Sequence, residues 1–346
     1  MYHLCPVVDV ILIRDNNYKG GNMMEKERVE LHIHTKMSAM DGVTSVTDFI
    51  NRAAQWGHPA IAVTDHGVVQ AFPEAMQAIE QSRKQGYGIK VLYGMEAYYV
   101  DDVANQDHAH RRPFHLTILA RDRIGLKNLY QLVSWSHLHT FDRKPRITTS
   151  RLLEHREGLL LGSACAQGEL YRAIMDGRPW EELCAISRFY DFLEIQPLGN
   201  NEFMMHCGYV SGEEQLREFN RTIVRLGEEL NIPVCATGDV HFLDSEDALT
   251  RCILMAAQDY ADASRQPPLY FRSTREMLKA FAYLGEEKAY EVVVENTNRI
   301  ADQIEDMEPI PVGMFYPHLG DAEEQLYGLV RSRAGELYGD PLPPWC

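Results

Sequence analysis

The sequence predicts an α/β fold in which parallel strands alternate with helices and close into a barrel. The first observation is a series of short runs, rich in β-branched or aromatic residues and bounded by Gly, Pro or polar turns. The second is an amphipathic segment after most of these runs, and such alternation is typical of βα units. The predicted strands are residues 29–34, 60–64, 91–100, 114–120, 159–162, 192–196 and 233–237.

The predicted helices carry apolar residues at helical spacing, and several begin after a residue suited to capping. Those between the strands are residues 46–56, 72–85, 125–139, 180–190 and 213–230. After the last strand the alternation stops, and residues 245–259, 274–281 and 286–304 are predicted to be consecutive helices. Residues 1–25 are predicted to be a flexible lead-in, 26–312 the barrel, and 313–346 a linker that is cut short.

Composition and charge exclude several classes of protein. The chain has 346 residues, a net charge of −16, and no apolar run long enough for a membrane span. An acidic chain does not bind DNA by bulk electrostatics, since that requires clustered Lys and Arg. The seven cysteines include no CxxC pair, which favours a reducing cytoplasm over a disulfide framework.

Residue types that bind metals recur at or just after the ends of the predicted strands. In a β/α barrel this rim is where active sites are built, and imidazole, carboxylate and thiolate bind zinc and similar metals. His32 and His34 are two residues apart on one strand, so their side chains point to the same side. His115 is the exception, because it lies near the start of its strand. The candidate ligands are His32, His34, Asp41, His66, Glu96, His115, Cys165, Asp239 and His241.

These residues stand in an order that resembles the polymerase and histidinol phosphatase (PHP) family, and most closely the PHP domain of PolC-type bacterial DNA polymerase III. The likeness runs from about Arg28 to Pro343. The short motifs are HIH…D, TDHG, GxE, FHL, GSxC and GDVH. The longer stretches that resemble this subgroup are RVELHIHTKMSAMDGVTSV, WGHPAIAVTDHGVVQAFPEA, FYDFLEIQP, IPVCATGDVHFL and FRSTREML.

The resemblance implies a distorted TIM-like (β/α)7 barrel with extra C-terminal helices and three divalent metal ions, of zinc, manganese or iron. It implies a first ion held by His32, His34, Glu96 and Asp239. Glu96 would bridge to a second ion shared with His115 and Cys165, and Asp41, His66 and His241 would hold the third. The expected nucleophile is a metal-bound hydroxide, so no protein nucleophile is required.

Asp65 precedes His66 and has two interpretations. It either orients an imidazole as a hydrogen-bond acceptor behind the ligands or caps the following helix. Both remain open from the sequence.

The chain also departs from the resembling subgroup. PolC-type polymerases carry an exonuclease between the third and fourth barrel strands, and the ten residues between Asp102 and Pro113 leave no room for one. No polymerase carboxylate pair of the PDxD type is present, so these residues are not expected to polymerise DNA.

A locally basic stretch covers residues 111–156. Arg143, Lys144 and Arg146 are candidates to grip phosphate beside the metal rim, although solvated loops and helix faces explain such a stretch as well.

Three functions follow as hypotheses. The first is a metal-dependent phosphoesterase of replicative polymerase ancestry, acting on DNA or phosphate-ester ends, for instance as a 3′–5′ exonuclease. The second is a non-catalytic module, stabilised by metal, that serves the remaining polymerase III subunits. The third is a small-molecule phosphatase of the histidinol phosphatase type. A cytoplasmic location and no membrane partner are expected in each case.

Overall fold

A computed structural model of the chain describes residues 26–102, 112–260, 263–311, 313–317 and 319–345. The predicted flexible lead-in, residues 1–25, lies outside the described residues. So does most of the segment at which the exonuclease insertion is predicted to be absent, about residues 102–112.

The main elements follow the predicted alternation closely. The strands are β1 (Ala60–Val63), β2 (Lys90–Val100), β3 (Phe114–Ala120), β4 (Phe141–Asp142), β5 (Lys144–Thr148), β6 (Leu159–Gly162), β7 (Leu193–Ile195) and β8 (Val234–Ala236). The helices up to β8 are α1 (Val46–Trp56), α2 (Phe72–Lys84), α3 (Arg123–Leu138), α4 (Thr149–Glu154), α5 (Glu169–Met175), α6 (Trp180–Ser187), α7 (Phe203–His206) and α8 (Glu213–Leu230). The later helices are α9 (Ala248–Ala256), α10 (Thr274–Ala280), α11 (Glu286–Tyr290), α12 (Asn296–Asp302) and α13 (Ala322–Tyr338).

Helix α1 shows why the predicted boundaries hold. The Ser45 side chain accepts a hydrogen bond from the Asp48 amide at 3.1 Å and caps the first turn. Gly57, with φ of 79°, adopts the left-handed conformation that ends the helix. Phe49 and Ile50 are buried in the core that the helices share with the sheet. The capping residues and the spacing of the apolar residues therefore indicate the same boundaries for this helix.

The strands form two hydrogen-bonded sheets. In the larger sheet the order is β4-β5-β2-β3-β6, and β1 also pairs with β2. Strand β2 is long enough to pair in parallel with β1 along its first half and with β5 along its last residues. Strands β7 and β8 form a separate parallel pair.

The prediction of an all-parallel sheet is wrong at β3, which runs antiparallel to both β2 and β6. Strand β3 follows β2 without an intervening helix in the described residues, so no helical crossover forces a parallel pair. One consequence concerns His115. The start of an antiparallel strand lies at the edge where its parallel neighbours end, so His115 comes to the same rim as the other candidate ligands.

Residues 29–34, predicted as the first strand, form no continuous strand. They make isolated bridges instead, from Glu30 to Ile61 and from Ile33 to Val240. A further isolated bridge joins Gly162 at the end of β6 to Phe192 beside β7. Regular pairing therefore does not run around a closed ring, and the closed barrel stays a prediction.

Residues from Ile310 onward form a second compact unit, separate from the unit that ends at Pro309. The predicted linker there contains helix α13, which the sequence analysis missed. Its Leu326, Leu329 and Val330 side chains are exposed. Nowhere in the described part of the chain does a helix combine the length and the apolar character that crossing a membrane requires.

Candidate metal centre

The structure brings all nine candidate ligands into one cluster at the rim of the sheet. His32 and His34 come from the bridged segment before α1, and Asp41 from the loop that follows. His66 and Glu96 stand on neighbouring chain segments joined by a bridge between these two residues. The remaining ligands are His115 at the start of β3, Cys165 after β6, and Asp239 and His241 after β8.

Glu96 is the centre of this cluster and is almost completely buried. Its Oε1 lies 3.2 Å from Nε2 of His32, 3.0 Å from Nδ1 of His115 and 3.5 Å from Sγ of Cys165. Its Oε2 lies 2.8 Å from Nδ1 of His66. One carboxylate therefore contacts side chains from four different segments, as the predicted bridging role requires.

Asp239 contacts both His32 and His34 through one carboxylate oxygen. Its Oδ1 is 3.3 Å from Nε2 of His34 and 3.6 Å from Nε2 of His32. The same oxygen is 3.7 Å from Nδ1 of His241. The predicted first set, His32, His34, Glu96 and Asp239, thus converges on a small volume.

Asp41 is shared between the cluster and an arginine. Its Oδ2 lies 3.3 Å from Nε2 of His66 and 3.5 Å from Nε2 of His241. Its Oδ1 accepts a hydrogen bond from Nε of Arg251 at 3.1 Å. The sequence analysis missed Arg251, which lies on a helix outside the family motifs and carries no local signal.

The hydrogen bonds of His32 and His34 test whether the cluster fits a metal ion. Nδ1 of His32 lies 2.9 Å from Oε2 of Glu194, and Nδ1 of His34 lies 3.2 Å from Oγ of Ser38. With a proton on each Nδ1, both Nε2 atoms carry lone pairs, yet they are only 3.1 Å apart. Two facing lone pairs at that distance repel unless a cation lies beside them, so the donor set fits a metal.

Three groups within the cluster have the spacing of metal ligands. They are His32 with His34 and Glu96, His66 with Glu96 and His115, and His34 with His66 and His241. The first group agrees with the predicted first set. In the second, His66 takes the position predicted for Cys165, whose Sγ is nonetheless 3.4 Å from Nδ1 of His115.

Glu194 contacts His32 at Nδ1, the ring nitrogen that does not face Glu96, and the sequence analysis did not select it. It is buried, and Oε2 also accepts a hydrogen bond from Thr237 Oγ1 at 2.9 Å. Oε1 accepts from Thr117 Oγ1 at 2.6 Å and from the Ala164 amide at 3.0 Å. The available signal was a charged residue between Leu193 and Ile195 in a strand buried on both faces.

Asp65 acts through a hydroxyl rather than on an imidazole directly. It accepts hydrogen bonds from the Thr35 amide at 2.7 Å and from Ser38 Oγ at 2.6 Å. Ser38 in turn contacts His34, so Asp65 orients that ring through one intermediate. The capping alternative is wrong, because α2 is preceded by Ala71 and has no side-chain cap.

Three residues in or beside the cluster have left-handed backbone conformations. Met40, Ala164 and Asp239 have φ values of 66°, 58° and 49°, in a region that side chains other than glycine rarely occupy. Met40 precedes Asp41, Ala164 precedes Cys165, and Asp239 is itself a candidate ligand. Such strain persists only where the surrounding structure holds it, which is common at functional sites.

The ionisable groups shift one another strongly. Burial opposes charge on His66, but Glu96 and Asp41 raise its pKa to about 10. Burial likewise opposes charge on Glu96, whose pKa is held well below its usual range by His115 and His32. Burial raises the pKa of the Cys165 thiol, and Glu96 adds to that effect. The cluster therefore favours bound cations.

The predicted phosphate contacts lie on and around the β4–β5 hairpin. Lys144 Nζ is 5.1 Å from the ring centroid of Tyr98, and that ring stacks on His66 with centroids 5.7 Å apart. Arg146 instead pairs with Asp142 at 2.6 Å, and Arg143 occupies the turn with φ of 59°. Lys144 is thus linked to the cluster through one aromatic ring.

The cluster is closed on one side and open on the other. The side chains of His32 and His34 have no exposed surface. Those of Asp41, His115 and His66 are 28%, 18% and 15% exposed. A substrate can therefore reach the side that these three residues line.

Together the fold and the cluster define an α/β domain with a centre of metal-binding side chains at one rim. Comparison with known families is consistent with this. Residues 30–196 match the sequence model of the PHP domain.

Relatives extend the likeness beyond that domain. The DNA polymerase III PolC-type of Clostridium perfringens is 32% identical over 533 residues, covering 96% of this chain and 36% of that protein. The PolC-type enzyme of Caldanaerobacter subterraneus subsp. tengcongensis is 35% identical, covering 94% of this chain and 37% of that protein. The chain therefore spans little more than a third of these relatives. Both alignments are longer than its 346 residues, so the relatives contain residues with no counterpart here.

Solved structures give weaker matches. A two-domain protein of Bacteroides vulgatus, containing a predicted PHP-like metal-dependent phosphoesterase, is 15% identical with a TM-score of 0.35. That match covers 62% of this chain and 52% of the other. The metal-dependent tyrosine phosphatases YwqE of Bacillus subtilis and CpsB of Streptococcus pneumoniae are represented by a match 17% identical, with a TM-score of 0.35. It covers 83% of this chain and all of the other.

Proposed function

We propose that this PHP domain is a metal-dependent phosphoesterase that hydrolyses phosphodiester or phosphate ends of DNA. The observation that carries the proposal is the pair of Nε2 atoms of His32 and His34, which are 3.1 Å apart while each Nδ1 is engaged elsewhere. As long as both rings are neutral, neither can relieve that contact by donating a proton without losing its partner. Burial opposes charge on His32, but Glu194 and Glu96 raise its pKa well above its usual value, so a proton can occupy this place when no metal is bound. A cation satisfies both.

Of the nine residues proposed as ligands, His32, His34 and Glu96 are the most enclosed. Asp239 joins them in the proposed first set, and Asp41, His66, His115, Cys165 and His241 complete the centre. When bound, divalent ions polarise a phosphate and supply hydroxide near neutral pH. The chain's own part is to orient the ligands: Glu194 fixes the His32 tautomer, and Asp65 fixes His34 through Ser38.

The exposed side of the centre distinguishes a catalytic role from a structural one. Structural metal sites are closed by protein ligands, whereas catalytic sites leave a position for water or substrate. The partial exposure of Asp41 and His115 supports the catalytic role. Lys144, and with it Arg143 and Arg146, is proposed to attract the phosphate to this side.

The experiment is hydrolysis of 3′-labelled single-stranded DNA by the purified chain with added Mn²⁺ or Zn²⁺. His32→Ala is the variant, and His206→Ala, at an exposed position away from the cluster, is the matched control. We expect the wild type and the control to degrade the strand and His32→Ala to lose at least about 100-fold in rate. Metal content and circular dichroism measured on the same samples separate loss of metal from loss of folding.

Bound metal without hydrolysis of DNA or of a phosphate monoester panel would contradict the proposal. It would favour the metal-stabilised module of a PolC-type polymerase, an alternative supported by the PolC-type relatives. Hydrolysis confined to small monoesters would favour the histidinol phosphatase type instead.

We also infer that the sheets belong to a distorted seven-stranded barrel, with residues 29–34 as its first strand. The isolated bridges of Glu30 to β1 and of Ile33 to Val240 support this, because they connect the two sheet edges that a closed ring would join. The bridge between Gly162 and Phe192 supports the remaining junction.

A further inference from the structure

A pair of arginines, Arg112 and Arg172, lies beside the proposed metal centre, and among the described residues no carboxylate oxygen lies within ion-pair distance of either. Nη2 of Arg112 donates to Oε1 of Gln167 at 2.8 Å, and Nη2 of Arg172 donates to the same oxygen at 2.5 Å. Within the described ranges, the recorded ion pairs include neither arginine. Two guanidinium groups thus converge on one neutral amide oxygen, which cannot offset their charge.

Gln167 ties this pair to the cluster through its backbone. The Gln167 carbonyl accepts a hydrogen bond from the His115 amide at 3.0 Å. The Gln167 amide lies 3.5 Å from Sγ of Cys165, to which it donates. The residue that holds the pair therefore makes hydrogen bonds to two proposed ligands, at the partly exposed His115 side of the centre.

The pair is held in place by packing as well as by Gln167. The guanidinium carbon of Arg172 lies 5.2 Å from the ring centroid of Phe114, which precedes His115. Burial lowers the pKa of Arg172, and the neighbouring Arg112 lowers it further. Both effects are penalties that an anion bound between the two groups would relieve.

We propose that Arg112 and Arg172 bind a second phosphate group of a nucleic-acid strand whose scissile phosphate lies at the metal centre. Guanidinium groups match phosphate oxygens with two parallel hydrogen bonds, and arginine is favoured wherever phosphate is recognised in this way. The inference rests on the proposed function for the position of the scissile phosphate. A site that binds two phosphate groups has a higher affinity for nucleic-acid strands than for small phosphate monoesters.

This site also suits an acidic chain. A net charge of −16 repels a polyanion at long range, so binding must depend on local cations. Arg112 and Arg172 supply two such charges from outside the β4–β5 hairpin, on segments that flank His115 and Cys165. They are therefore separate from the contacts predicted for Arg143, Lys144 and Arg146.

The test measures binding apart from hydrolysis. The probe is a fluorescein-labelled ten-residue oligothymidylate with phosphorothioate linkages, which resist cleavage, titrated with the full chain and followed by fluorescence anisotropy. We expect the double variant Arg112→Gln and Arg172→Gln to raise Kd at least about 10-fold, since each loses a charge-assisted hydrogen bond. Arg178→Gln is the matched control, because Arg178 is exposed and paired with Glu182 at 3.3 Å.

Two further measurements make the result specific. Arg112→Gln alone changes an exposed residue, so it tests the site if the double variant does not fold. If the wild type hydrolyses both an unmodified ten-residue oligothymidylate and p-nitrophenyl phosphate, the double variant should raise KM for the oligonucleotide and leave KM for p-nitrophenyl phosphate unchanged.

An unchanged Kd in Arg112→Gln and in the folded double variant would overturn the proposal. So would an equal rise in KM for both substrates, because a monoester has no second phosphate. Weakened binding in these variants by a chain that hydrolyses nothing would support the arginine site and refute the proposed function. The two inferences can therefore fail separately.

Discussion

The buried imidazole of His58 makes the stability of this domain depend on pH in a way that one substitution should remove. The residue is 2% exposed, and neither ring nitrogen has a hydrogen-bond partner among the described residues. It packs against Trp56 and Phe271, with ring centroids 5.8 Å and 5.6 Å away. Burial, with a contribution from the Arg28 charge, lowers its pKa to about 3.

The sign and size of the effect follow from this pKa. In the unfolded chain the pKa of histidine is about 6.5, so between pH 6.5 and pH 3 only the unfolded state binds the proton. Stability is therefore full above pH 6.5 and is lost progressively as the pH falls towards 3. Between pH 7 and pH 5 the loss from this residue is about 2 kcal/mol.

His58→Leu keeps a similar volume and removes the titrating group. We expect its free energy of unfolding to fall by about 2 kcal/mol less than that of the wild type between pH 7 and pH 5. The measurement is urea denaturation followed by circular dichroism, in the presence of a chelator so that metal binding does not contribute. His206→Leu, at an exposed position, should follow the wild type.

What is compared is the change in the free energy of unfolding between pH 7 and pH 5. The residues of the metal centre titrate in the same way in all three chains, so their contribution cancels. Parallel losses in the wild type and in His58→Leu would refute the reasoning. They would mean that the imidazole is protonated in the folded state or reaches water.

Other predictions concern the centre and the sheet. Glu194→Gln should weaken metal affinity by about 10-fold to 100-fold, measured by competition with a chromophoric chelator, because the acceptor that fixes the His32 tautomer loses its charge. Metal affinity should also fall about tenfold per pH unit between pH 8 and pH 7, because the pKa of His66 is raised to about 10 and its proton must leave; an affinity independent of pH would contradict this. Gly94→Ala should destabilise the domain by at least about 1 kcal/mol in thermal denaturation, because the added carbon would lie 2.4 Å from the Ile118 carbonyl oxygen. A melting temperature equal to that of the wild type would contradict the last prediction.

The sequence predicted most helices and strands well where burial gives a regular period. Helices α1 and α8 and strand β3 have the predicted boundaries. The helices carry apolar residues at helical spacing, and β3 is a short, mostly buried run that follows a proline. Strand direction was not predictable in the same way. The pattern of β3 is the same in either orientation, and only its pairing with β2 and β6 makes it antiparallel.

Short elements and elements with little burial were the ones missed. Helix α5 is buried but has only seven residues. The β4–β5 hairpin is short as well: its first strand is two exposed residues, and its second has only five residues, of which two are buried. Helix α13 has no buried residue, so its apolar residues do not follow the regular spacing that burial of one helix face requires. The sequence also treated residues 29–34 as a regular strand because they alternate correctly, whereas only single bridges form there.

For the centre, the sequence selected the residues that carry ligand atoms but not those that hold them. His32 and His34 are visible through their spacing. Glu194 and Arg251 are not, because their roles depend on which distant segments pack beside them. Contacts between residues far apart in sequence appear only in the folded chain.

The nine side chains of the centre are distributed along the chain from His32 to His241, so the centre is complete only when almost the whole domain has folded. A nascent chain that stops before Asp239 cannot close the set, and neither can a fragment released by proteolysis within the domain. For the proposed centre, retention of metal would therefore report on the integrity of the domain, and a metal assay on cell extracts would distinguish intact chains from partial ones.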